Sequence, residues 1–166
     1  VVCCGTGIVN DPNVVSMMSR CGLRNELLRG PVYYGLVHVA SSLLFWKNST
    51  GVMAIVILCA GDGFADIIGR RYGSAKLPWS KGKSWAGSLA FLAASYLVGL
   101  CYLHVCIQYG WTRLPMNWLQ MKLATMCAIC TLVESLPIAE YDNLTVFGAA
   151  VLVDKLIFAE KSLSFL

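Results

Sequence analysis

Residues 85–109 contain no Asp, Glu, Lys or Arg, and this constrains the fold more than any other feature. A helix rises about 1.5 Å per residue, so roughly 20 apolar residues match the roughly 30 Å hydrocarbon core of a bilayer. The stretch reads as the clearest transmembrane helix in the chain. Four more apolar segments accompany it: about 31–46, a run from near Gly51 into Gly61-Asp62-Gly63, about 121–136, and about 143–158. The first is short for a full span and requires tilt or a partner helix. The expected fold class is all-α, a polytopic integral membrane helical bundle of about five transmembrane segments. It forms one domain, 31–166, behind a membrane-proximal segment, 1–30. The chain starts at Val1 without methionine and reads as a processed form or a piece of a longer one.

Composition agrees: 57% of residues are hydrophobic and 13% charged, against roughly 25% charged in soluble domains. Eight cysteines invite a disulfide framework, but Cys59, Cys101, Cys106, Cys127 and Cys130 lie inside apolar segments. Free cysteine there behaves as a small hydrophobe, and Cys127-x-x-Cys130 has no partner pair elsewhere. His38 and His104 read as packed or interfacial residues. The net charge of +4 does not indicate nucleic acid, because the basic residues fall between apolar segments, as in loops on the positive side of a membrane.

Counting crossings places the distant polar clusters. Arg20, Arg24 and Arg29 make the stretch before the first segment basic. Two crossings later comes a loop at 69–84 with Arg70, Arg71, Lys76, Lys81 and Lys83, and no acid occurs between Asp66 and Glu134. Two further crossings bring the region from Glu134 to Asp142 to the same side.

The richest chemistry lies in GDGFADIIGRRYGSAKLPWSKGKSWAG, from Gly61 to Gly87. Continued as helix, it puts Asp62, Asp66 and Arg70 at i, i+4 and i+8 on one stripe. Ala65, Gly69 and Gly73 form an adjacent small-residue ridge that permits close helix approach. Carboxylates one turn apart can hold a divalent ion, usually magnesium beside phosphates, and the following bases can neutralise those phosphates. The same spacing also describes an interfacial ion-pair ladder at a helix end, and spacing leaves both readings open. Gly82-Lys83-Ser84 looks like the tail of a nucleotide-binding P-loop, but Leu77 stands where that motif needs glycine. Glu134 is a carboxylate inside an apolar segment, costly unless it faces a cavity or partner, or else a helix-terminal residue at the water boundary. Asp142-Asn143 could be a plain helix cap. Asp154-Lys155 reads as a neighbouring ion pair near an interface.

Three blocks, in order, carry a resemblance. GDGFADIIGRRYGSAKLPW followed by KSWAGSLAF, the later ESLPIAEYDNLTV, and the earlier NELLRGPVYYGL resemble the plant phytol kinase and farnesol kinase family over about residues 20–150. The wider group includes dolichol kinase and phosphatidate cytidylyltransferase, whose acid–Gly-Arg–Lys pattern is similar to that of Asp62, Asp66, Gly69, Arg70, Gly73, Lys83 and Gly87. The resemblance implies a CTP-dependent kinase that transfers the terminal phosphoryl group to an isoprenoid alcohol such as phytol, farnesol or geranylgeraniol, in the chloroplast envelope. On that basis Asp62 and Asp66 are expected to bind Mg2+, and Arg70, Lys76, Lys83 and Ser84 the nucleotide. Glu134 and Asp142 are expected to complete a metal site or position the alcohol. The chain departs from the family where Tyr141, preceded by Glu140, stands beside Asp142 in place of a second acid, and the family carries further helices ahead of the matched region. The rivals are a cytidylyltransferase, which would attach CMP to a lipid phosphate, and a small transporter subunit. A transporter would spread its charges over several depths, whereas here they gather on one face.

Overall fold

The computed structural model describes residues 6, 8, 11–13, 15, 26–45, 49–112, 114–138 and 141–158, with residues 26–29 as backbone alone. The side chains of Arg20, Arg24, Arg29, Arg113 and Glu140 lie outside the described residues. Among the described residues from 26 onward, five helices and one small hairpin follow in order. They are α1 (Glu26–Leu44), α2 (Ser49–Tyr72), β1 (Lys76–Leu77), β2 (Ser80–Ser84), α3 (Trp85–Gln108), α4 (Met116–Glu134) and α5 (Asp142–Ile157). The all-helical expectation holds for the bundle. Two of the helices, α2 and α3, are long and apolar enough to cross a membrane by length and composition.

Three boundaries differ from the sequence reading. Helix α1 starts ahead of Pro31 and carries it inside, which forgoes one backbone hydrogen bond there because proline has no N–H. Helix α4 starts directly after Pro115, ahead of the expected start near 121, and ends at Glu134. The loop at 69–84 is instead the end of α2 followed by an antiparallel hairpin, with Lys76 opposite Ser84 and Leu77 opposite Ser80.

Helices α2 and α3 pack most closely because glycine and serine stand where they cross. An added Cβ at Gly61 would lie 2.8 Å from the Phe91 ring, and one at Gly87 would lie 3.2 Å from the Ala65 carbonyl. The predicted ridge is thus the contact surface. Ser95 Oγ donates to Ile57 O at 3.2 Å across the same interface. The core gathers Val37 from α1, Ile57 and Leu58 from α2, Phe91 and Leu103 from α3, Leu123 and Met126 from α4, and Val146 and Ala150 from α5.

A buried ion pair crosses this core. Lys122 of α4, fully buried, pairs with Asp154 of α5. Asp154 also accepts from Thr50 Oγ1, and the ammonium donates to Ser49 Oγ at 3.3 Å and lies 5.5 Å from the Trp118 ring centroid. Asp154 therefore pairs with Lys122 and not with its neighbour Lys155, which points outward. Residues 154 and 155 are about 100° apart around a helix, so only one of them can face the core. Cys127 and Cys130 are both buried, and the Cys130 thiol donates to Val146 O, in keeping with structural thiols.

Candidate functional site: an acidic helix stripe under a basic hairpin

Helix α2 runs unbroken from Ser49 to Tyr72, so Asp62, Asp66 and Arg70 do share one stripe. Arg70 folds back on Asp66, with Nε donating to Oδ1 at 3.0 Å and Nη2 lying 2.9 Å from Oδ2. Their side chains are 62% and 36% exposed, and an exposed i,i+4 pair is worth only about 0.3–0.5 kcal/mol. Arg70 is therefore easily recruited by a stronger anion.

The hairpin lies over the same end of the bundle. Ser84 closes β2 and caps α3, accepting from the Gly87 N–H at 3.2 Å. Its other hydroxyl function, a rotatable O–H donor, remains at the wall of the cleft described below. Trp79 at the hairpin turn donates from its indole N–H to Ser135 O at 3.0 Å and meets Trp85 edge-on at 5.8 Å. The first contact fixes the hairpin against the turn between α4 and α5, and the second fixes it against the start of α3.

Lys83 makes the central link. Its ammonium lies 2.7 Å from Glu134 Oε1 and 2.7 Å from Asp142 Oδ2, and it also donates to the Glu134 carbonyl. The two regions that the crossing count sends to one side are thereby in direct contact. Both carboxylates are buried. Removing one partner from such an arrangement typically costs about 3–5 kcal/mol, so Lys83 is far more firmly held than Arg70. Asp142 Oδ1 is buried and has no hydrogen-bond partner among the described residues, which leaves an acceptor available beside Lys83.

Between stripe and hairpin lies a cleft of about 230 Å³, whose walls include Asp62, Asp66, Arg70, Lys76, Lys83, Ser84 and Glu134. Seven of the eight residues singled out in the sequence thus share one cavity, and the eighth, Asp142, contacts it through Lys83. The volume lies below the roughly 300–1,000 Å³ of pockets that enclose a drug-sized ligand. It suits a chain of phosphates with the rest of a nucleotide outside. Among the described residues no group of three or more His, Cys, Asp or Glu is placed to hold a metal. The hard oxygens of Asp62 and Asp66 nevertheless fit magnesium, which usually takes one or two carboxylates and draws its other ligands from substrate phosphates and water.

Chemically, the cleft brings the cations of Arg70, Lys76 and Lys83 beside the carboxylates of Asp62, Asp66 and Glu134, a set of groups able to bind an anion together with a hard cation. The comparisons narrow this class. The chain is 38% identical to the chloroplastic farnesol kinase of Arabidopsis thaliana over 157 residues, 93% of this chain and 51% of that protein. It is 41% identical to the probable chloroplastic phytol kinase 1 of Glycine max over 145 residues, 86% and 48% of the two. With the probable chloroplastic phytol kinase of Zea mays the figures are 39% over 158 residues, 93% and 52%. The chain spans about half the length of the curated relatives it matches. No family model and no solved structure matches it. Over most of its own length the chain is thus similar to members of the phytol kinase and farnesol kinase family.

Proposed function

We propose that the protein is a membrane-bound kinase that transfers the γ-phosphoryl group of CTP to an isoprenoid alcohol, giving the prenyl monophosphate and CDP. The observation that carries this reading is the cleft in which Asp62, Asp66 and Arg70 face Lys76 and Lys83, in a chain whose relatives are named farnesol and phytol kinases. Arg70 and Lys76 would take the phosphate oxygens, with Arg70 exchanging Asp66 for phosphate at small cost. Asp62 and Asp66 would hold Mg2+, which when bound supplies positive charge to the transferring phosphoryl group. Lys83, fixed between Glu134 and Asp142, would set the position of the hairpin and lend its positive charge to that wall of the cleft. Preorganised cations of this kind account for much of the rate enhancement in phosphoryl transfer.

Membrane residence is part of the proposal. The best apolar stretches of α2 and α3 are each only 33% buried inside the protein, whereas the core helix of a soluble protein is mostly buried. Leu43, Leu97, Leu132 and Leu156, on four different helices, are exposed, and an apolar solvent satisfies them. We place all five helices in the bilayer, with the hairpin on one face, in the plastid envelope.

The test is γ-labelled CTP added to membranes holding the protein, with phytol, farnesol, geranylgeraniol and dolichol compared side by side. Label should pass to at least one of the shorter prenols. Transfer to none of the four contradicts the proposal.

A further inference from the structure

A second set of polar side chains lies between α1 and α2. The Tyr34 hydroxyl is 2.9 Å from Cys59 Sγ, Cys59 Sγ is 3.3 Å from His38 Nε2, and His38 Nδ1 is 2.9 Å from the Tyr34 carbonyl. A carbonyl oxygen only accepts, so Nδ1 carries the proton and donates it. In the neutral imidazole Nε2 then keeps its lone pair and can accept from the thiol. The Tyr34 and His38 rings also lie against each other, 4.4 Å between centroids. Helix α1 thus fixes both the tautomer and the orientation of this imidazole, as is required of a base set up to receive a proton.

The cluster adjoins the cleft. Cys59 and Asp62 are three residues apart on α2 and share a face, and Asp62 lines the cleft. Asp62, Tyr34, Cys59 and His38 thereby form a file of polar groups leading from the cleft into an apolar helix pair. Cys59 is exposed. A thiol is a weak donor and a weak acceptor, so it serves Tyr34 and His38 poorly in apolar surroundings, where unsatisfied polar groups are costly. A hydroxyl would satisfy both.

We infer that Tyr34, His38 and Cys59 form the acceptor site, which takes the primary hydroxyl of a long isoprenoid alcohol while its hydrocarbon tail stays in the apolar phase along α1. The inference rests on the kinase reading above and assigns the alcohol its side of the site. The hydroxyl displaces the Cys59 thiol, donates to His38 Nε2 and accepts from the Tyr34 O–H. Its oxygen forms a bond to the γ-phosphorus as the bond from that phosphorus to the β–γ bridging oxygen breaks. The electron pair leaves with CDP, and the hydroxyl proton passes to His38 Nε2. General-base catalysis of this kind contributes about 10²–10⁴-fold.

The test is a farnesol analogue with a diazirine next to the hydroxyl-bearing carbon, photolysed in membranes that hold the full chain. Label should attach to peptides containing residues 34–38 or Cys59. Farnesol should compete, and farnesyl methyl ether, which has no hydroxyl, should not. His38→Gln and Tyr34→Phe should each reduce labelling at least about fivefold. In turnover, His38→Gln should lower kcat about 100-fold with KM for CTP unchanged, while His104→Gln, on α3, should match wild type. Labelling confined to other helices, or competition by the ether as strong as by farnesol, overturns the inference, as does wild-type kcat in His38→Gln. The labelling needs no turnover. Membranes that label at the cluster but transfer phosphate to no prenol would therefore count against the kinase reading and in favour of the alcohol site.

Discussion

Lys83 and Arg70 line the same cleft, but the physics of their partners separates them. Lys83 holds two buried carboxylates at 2.7 Å each, whereas Arg70 holds an exposed one. Lys83→Met should destabilise the protein by about 3–5 kcal/mol, read as a fall in the thermal midpoint in detergent. Arg70→Met should change stability by less than about 1 kcal/mol and raise KM for CTP. Equal stability in the two variants contradicts this division. Asp62→Asn and Asp66→Asn keep side-chain size and remove the charge a hard cation needs. Each should lower kcat by about 100–1,000-fold in protein that remains inserted and folded, and near-wild-type turnover in either returns that residue to the ion-pair ladder. The sequence made the stripe of Asp62, Asp66 and Arg70 legible because helical period alone places it. It could not show that His38 meets Cys59, 21 positions away. A lone histidine on an apolar stretch has the same local signature whether it is packed inertly or set beside a thiol.

Among the elements, α3 was the most legible, running Trp85–Gln108 against an expected 85–109, because a long uncharged run leaves few alternatives. The hairpin was hidden. Its strands are two and five residues long, rich in lysine and serine, and without the apolar alternation that marks a half-buried strand. Contacts made by Trp79 and Lys83 with the bundle hold it, and these are tertiary. The burial of Lys122 was hidden for a related reason: it depends on Asp154, in a different helix. The pair lies between α4 and α5 and touches the start of α2, so it fixes how three helices meet. Lys122→Met should cost about 3–5 kcal/mol by leaving Asp154 unpaired, and the double variant Lys122→Met/Asp154→Leu should recover most of that loss. Thermal melts of the three proteins decide this. A double variant no more stable than the single one would show that the pair supplies more than mutual neutralisation.

For the whole molecule, five helices bring a hairpin and a helix-connecting turn to one end of a bundle and a polar cluster to the adjoining α1–α2 face. A soluble nucleotide would reach the cleft from the polar end, and a lipid alcohol would reach the cluster from the side, so the two substrates need not share an entrance. The fold itself does not distinguish attack at the γ-phosphorus from attack at the α-phosphorus of the same bound triphosphate. The products do distinguish them. CTP labelled separately at the α and γ positions, supplied with farnesol or phytol to membranes holding the protein, should yield lipid labelled from the γ position alone, with CDP released. Lipid labelled from the α position, formed from a lipid phosphate with release of pyrophosphate, would contradict the kinase account and make the protein a cytidylyltransferase.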